Sequence, residues 1–329
     1  MRKIACLSLV GVLLFVGCER KPKESNVVSQ KYIHKYGYAV AKDEFETRQY
    51  PGQVITMMKN GVTVTATYEN GVLHGPCTHT FPNSQTVESY FLYNHGELAK
   101  EILYDVTGMP IREEVSLSPT RRSVTAWYVD GTPMLLEEYA GAEILEGQYF
   151  SMNNDLEAQV VKGRGNRVQR DTKGALTAKE IVEAGYVTRR ETFFPSGTPE
   201  TIAYYRHGEL NGEMQTFTAS GEPLALKEFV RGKLHGKSTF FKNGAKHVEV
   251  HYLDGQRNGL EIHYLDGDII SQEIPWENDR RHGPAKYYFD GMAKIDYYYD
   301  GQVVSETEWK DLNRIDAMIS RIDPSVQIP

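Results

Sequence analysis

The sequence predicts an all-β protein built from antiparallel hairpins. Two observations carry the prediction: an Asn/Asp-Gly turn signal that returns at a nearly fixed interval, and a Gly-x-x-x-Gly loop between the returns. The composition agrees, with 21 Tyr and 29 Gly among 329 residues. Glycine supplies turns at positive φ, and tyrosine suits half-buried strands.

The N-terminus stands apart from this pattern. Arg2 and Lys3 precede a mostly apolar run from Ile4 to Val16, too short for a membrane span and of the right length for a signal-peptide core. The run closes on "LLFVGC", residues 13–18, which resembles the lipobox of bacterial lipoproteins. That resemblance implies cleavage after Gly17 and a diacylglyceryl group on Cys18; Phe15 stands where the family prefers Leu. Residues 1–17 are therefore read as signal peptide and 18–31, "CERKPKESNVVSQK", as a lipid-anchored flexible tether. Cys6 leaves with the signal and Cys18 carries lipid, so Cys77 is expected to be a small buried residue without a disulfide. Cleavage leaves 35 basic against 44 acidic residues, a charge of −9, which offers no general attraction to nucleic acid.

Residues 32–304 hold the repeats. The turn signal falls at Gly61, Ser84 in place of glycine, Gly108, Gly131, Asn154 in place of glycine, Gly174, Gly197, Gly221, Gly244, Gly267 and Gly291. The intervals are 23, 24, 23, 23, 20, 23, 24, 23, 23 and 24 residues, a repeat architecture by its regularity. Between these turns lie "GVLHG" (71–75), "GELNG" (208–212), "GKLHG" (232–236), "GQRNG" (255–259) and the variant "DRRHG" (279–283). An aromatic ring precedes the loop: Tyr68, Tyr93, Tyr205, Phe229, Tyr252, Trp276 and Tyr298. Runs of six to eight residues separate the turns, the length of hairpin strands. Folding Val248–Tyr264 about Arg257 sets His251 against His263 and Tyr252 against Ile262. Val248, Val250, Tyr252, Leu260, Ile262 and Tyr264 then share one face.

Y-x-x-G-x-x-x-G at this period resembles the MORN repeat, in the bacterial variant of the YwqK-like antitoxin family. The resemblance spans roughly Gly61 to Glu308 and is weaker from about Val115 to Tyr186. It implies an elongated, single-layer antiparallel sheet of stacked hairpins, curled along its length: a β-hairpin repeat solenoid whose rings form a structural ladder.

Residues 305–329 end the chain. Ser305 with Glu308 makes a capping box, and Trp309, Leu312, Ile315, Ile319 and Ile322 recur at helical spacing. The expectation is an amphipathic helix that covers the open sheet edge, with a free partner-binding helix as the alternative.

Motifs of chemistry are sparse. His74, His235 and His282 share one repeat position. The last two are about four strands, roughly 19 Å, apart, so no metal site of three convergent ligands is expected. "KGRGNR" (162–167) lacks the third glycine and the helix of a dinucleotide site. No nucleophile elbow or P-loop occurs. The sequence therefore points to no enzyme, no cofactor, no metal, no nucleic-acid partner and no small-molecule substrate. The irregular repeat, 154–174, carries Lys162, Arg164, Arg167, Arg170 and Lys173 in an acidic chain, the candidate contact for an acidic partner or lipid headgroups. The expected function is a secreted repeat scaffold, held in the bacterial cell envelope by its lipid on the periplasmic or surface side of a membrane, that binds a protein partner along an aromatic-rich sheet. The alternatives are an antitoxin-like or immunity factor that neutralises a toxin, and a cell-envelope hydrolase.

Overall fold

The computed structural model describes residues 26–322. The signal segment, Cys18 and most of the tether lie outside these residues, as does the tail beyond 322. Among the described residues, 27 strands and two helices fall into two compact units, residues 26–157 with 172–174 and residues 158–171 with 175–322. Within each unit consecutive strands pair antiparallel, hairpin after hairpin. No helix among the described residues is long and apolar enough to cross a membrane.

In the first unit, strand Val27–His34 pairs with Gly52–Met58. This strand takes in Val27–Lys31, which the polar, aperiodic text assigns to the tether. Pairing with a neighbour supplies the order that the sequence pattern does not show. Between these two strands lies a short helix, α1 (Lys42–Thr47), that the sequence reading misses. α1 buries only Phe45, whose ring lies 5.4 Å from that of Tyr32 and 6.4 Å from that of Tyr68. Farther along, Ala66, Cys77, Phe91 and Tyr93 form a buried cluster with Val64, Tyr68, Leu73 and Leu98 packed against it. Cys77 is fully buried. It also takes part in a disulfide, which corrects the expectation of an unpaired thiol; the other half lies outside the described residues.

In the second unit the hairpin register differs from the expected one. The turn is Asp254-Gly255, with φ of 51° and 92°, the pair of positive values that a two-residue hairpin turn of type I′ needs. Leu253 pairs with Gln256, Tyr252 with Arg257, and Val248 with His263. Moving the fold from Arg257 to the Asp254-Gly255 bond shifts the pairing by an odd number of residues. Ile262 and Tyr264 therefore share a face with Glu249 rather than with Val248 and Val250. The second glycine of the loop, Gly259, is not a turn residue. It sits by the irregularity between Val250 and Tyr252, and its φ is +107°.

The second helix, α2 (Glu306–Ile322), begins as the capping box predicts: the Glu308 N–H donates to Ser305 Oγ at 3.2 Å. It packs on the face of strand Met292–Tyr299, close to the end of the sheet. Trp309 lies 5.6 Å from the Tyr297 ring, and the Tyr299 hydroxyl donates to Asp316 at 2.7 Å. Ile315, Met318 and Ile319 remain exposed.

Candidate functional site

The predicted ring positions are taken up by the fold itself. Tyr93 stands opposite Gly75, Phe229 opposite Gly212, Tyr252 opposite Gly236, Trp276 opposite Gly259, and Tyr298 opposite Gly283. Four of these glycines close a Gly-x-x-x-Gly loop and Gly283 closes the variant loop that starts on Asp279; all five have positive φ. A ring across from a glycine fills the space that a side chain would have occupied. The motif thus pairs one hairpin with the next. Tyr68 follows the same rule against Gly52, and within its own hairpin Tyr205 pairs with Leu210 as Tyr93 pairs with Leu98. Tyr93 and Tyr298 are buried, and the Arg257 guanidinium lies 3.5 Å over the Trp276 ring.

The five cations of the irregular repeat differ in their surroundings. Residues 156–170 make a hairpin on the turn Lys162-Gly163, with Val161 opposite Arg164. Arg167 turns to the buried Glu180, with Nη1 2.9 Å from Oε2, and Arg190 reaches the other carboxylate oxygen at 3.2 Å from the next strand. That is a buried Arg–Glu–Arg bridge over three adjoining strands. Arg164 and Lys162 are exposed and Arg170 is half-buried. Lys173 is exposed and belongs to the first unit.

A comparable buried carboxylate is Glu249. Burial pushes its carboxyl up, but Tyr264, Lys246 and Lys237 hydrogen-bond to it and together hold it down to about 2. Tyr264 donates at 2.7 Å, and its own hydroxyl is raised to about 12 by burial and by that carboxylate.

A group that the sequence reading does not assemble lies in the first unit. Glu69, His74 and His95 bring three ligand atoms within 4.8 Å of one another. His74 Nε2 is 3.4 Å from Glu69 Oε2, and the two imidazole rings are 4.4 Å apart. The His95 N–H donates to His74 Nδ1 at 3.2 Å, and His95 Nδ1 is 2.8 Å from Asn94 Oδ1. Glu69 and His74 also line a cleft of about 390 Å³ with His34, Lys35 and Tyr68. The bond from His95 to His74 explains the shared histidine position. In a later hairpin the Asp300 N–H donates to His282 Nδ1 at 3.4 Å in the same way. The residue before the second glycine ties its hairpin to the next turn.

In the second unit an exposed apolar group occupies one side of the sheet. Leu265 pairs with Ile269 to close one turn, and Phe289 pairs with Met292 to close the next. Their exposures are 55%, 62%, 62% and 72%. The ladder of Gln272 with His263 and Tyr287 sets all four on one face. The alternation along Met292–Tyr299 places Tyr297 and Tyr299, which carry α2, on the opposite face.

The MORN repeat family matches residues 66–86 and 276–292. No curated protein matches the chain. The first match contains Tyr68 and the Gly71–Gly75 loop, and the second starts on Trp276 and runs through the variant loop ending at Gly283, so both fall on the ring-and-glycine pairs described above. At these two stretches the chain carries MORN repeats.

Proposed function

We propose that this chain is a lipid-anchored, secreted scaffold of the bacterial cell envelope whose repeat sheet binds a protein partner. The repeats and their sheet fit a scaffold or binding role. The observation that carries the reading is the pair of apolar turn closures, Leu265 with Ile269 and Phe289 with Met292, all more than half exposed on one face. Turn ends at the surface of a β protein are ordinarily polar, and an apolar group of this kind is a usual mark of a contact surface. The lipid on Cys18 would hold the chain at a membrane.

The test is capture from native membranes with the anchored full chain as bait. Wild type is compared with a variant carrying Leu265→Ser, Ile269→Ser, Phe289→Ser and Met292→Ser. A protein held by the first and lost by the second, with both baits equally folded, supports the reading. Equal retention contradicts it. A further arm reverses the exposed Lys162 and Arg164 to Glu and keeps Arg167, whose charge the buried Glu180 needs. A salt-dependent loss in that arm would assign the contact to the irregular repeat instead.

A further inference from the structure

Glu69, His74 and His95 come from two successive hairpins of the first unit and bring their ligand atoms within 4.8 Å of one another, with Glu69 and His74 lining a cleft. We propose that they form a binding site for a divalent transition cation of the zinc class.

The donor set is two imidazoles and one carboxylate, which suits zinc, nickel and copper better than calcium or magnesium. The His95 ring is already oriented. Its Nδ1 donates to Asn94 Oδ1 at 2.8 Å, which leaves the Nε2 lone pair for a metal, the arrangement that outer partners give to ligating histidines. His74 differs. Its Nδ1 accepts the His95 N–H, so the neutral ring carries its proton on Nε2, toward Glu69. Ligation through Nε2 moves that proton to Nδ1. The His95 N–H then gives up its acceptor and bonds to water, and it lies on an exposed turn where water is at hand. Glu69 supplies the negative charge, and the cleft leaves the remaining coordination positions open.

The repeats themselves provide the contrast. His235 and His282 hold the position of His74, but the next turn offers each an aspartate, Asp254 at 3.7 Å and the Asp300 N–H at 3.4 Å. Only in the first of these hairpins does a second imidazole stand at that turn.

The experiment is a calorimetric titration of the untagged full chain with Zn²⁺, with Co²⁺ absorption as a second readout of nitrogen and oxygen ligation. One Zn²⁺ per chain is expected. His95→Asn keeps a residue that tolerates the positive φ of this turn and removes the imidazole. It should weaken binding at least about tenfold, as should Glu69→Gln. His282→Ala should leave binding unchanged. The absence of stoichiometric Zn²⁺ binding would overturn the proposal. So would a His95→Asn chain that binds as wild type does, or equal losses in His95→Asn and His282→Ala.

Discussion

Tyr298 lies directly opposite Gly283 on the adjoining strand, and the glycine there has a φ of +112°. A Cβ at Gly283 would meet Pro275 Cγ at 3.1 Å. The second loop glycine is thus fixed by its backbone and by its neighbour together. Gly283→Ala should destabilise the second unit by about 1–3 kcal/mol. Gly291→Ala, at a turn where nothing lies within 4 Å, should cost less, about 1 kcal/mol. Urea unfolding of both variants checks the order, and a larger loss for Gly291→Ala would refute the explanation.

The rings should matter in proportion to their burial. Tyr93 is 2% exposed, while Tyr252 is half-buried. Tyr93→Ala should cost about 3 kcal/mol or more and Tyr252→Ala about 1–2 kcal/mol. In an array of repeats the loss acts mainly on adjoining hairpins, so hydrogen exchange should rise first in the strands next to each change.

Glu249 links stability to acid. Its carboxyl is held at about 2 in the fold against an ordinary value of 4.5. A depressed carboxylate contributes its stabilisation in full above about pH 5 and loses it as the pH falls from about 4.5 toward 2. The contribution is on the order of 3 kcal/mol. Unfolding measured between pH 6 and pH 3 should show a decline that Glu249→Gln removes in large part. An identical decline in the variant would place the acid sensitivity elsewhere.

Much of this arrangement is legible in the sequence, and its gaps have physical causes. The turn glycines announce the strands because few other residues accept positive φ. The same glycines mislead about register. In "GQRNG" the first glycine makes the turn and the second relieves an irregular pairing, a difference that periodicity does not carry. α1 escapes notice because it has six residues and no side-chain cap at its start. His74 and His95 meet across hairpins, so their contact depends on a register that the sequence alone does not set. The cation cluster reads as one patch in the sequence. In the fold, alternation and the buried Glu180 draw Arg167 into an ion bridge. The helix at 306–322 is plain from Ser305 and the apolar spacing, yet its stripe divides. Trp309 reaches the sheet, and Ile315 and Ile319 stay exposed.

The proposed lipid anchor rests on Cys18, which lies outside the described residues. A palmitate analogue should mark wild type and not Cys18→Ser. Equal labelling of the two, or of neither, would contradict the anchor.

The scaffold reading is tested most directly by placing a photo-reactive residue at Phe289 and, separately, at the exposed Val106 in the first unit, and irradiating intact cells. One distinct protein adduct is expected at position 289 and none of that size at 106. No adduct at 289, or the same adducts at both positions, would contradict a protein partner on this face.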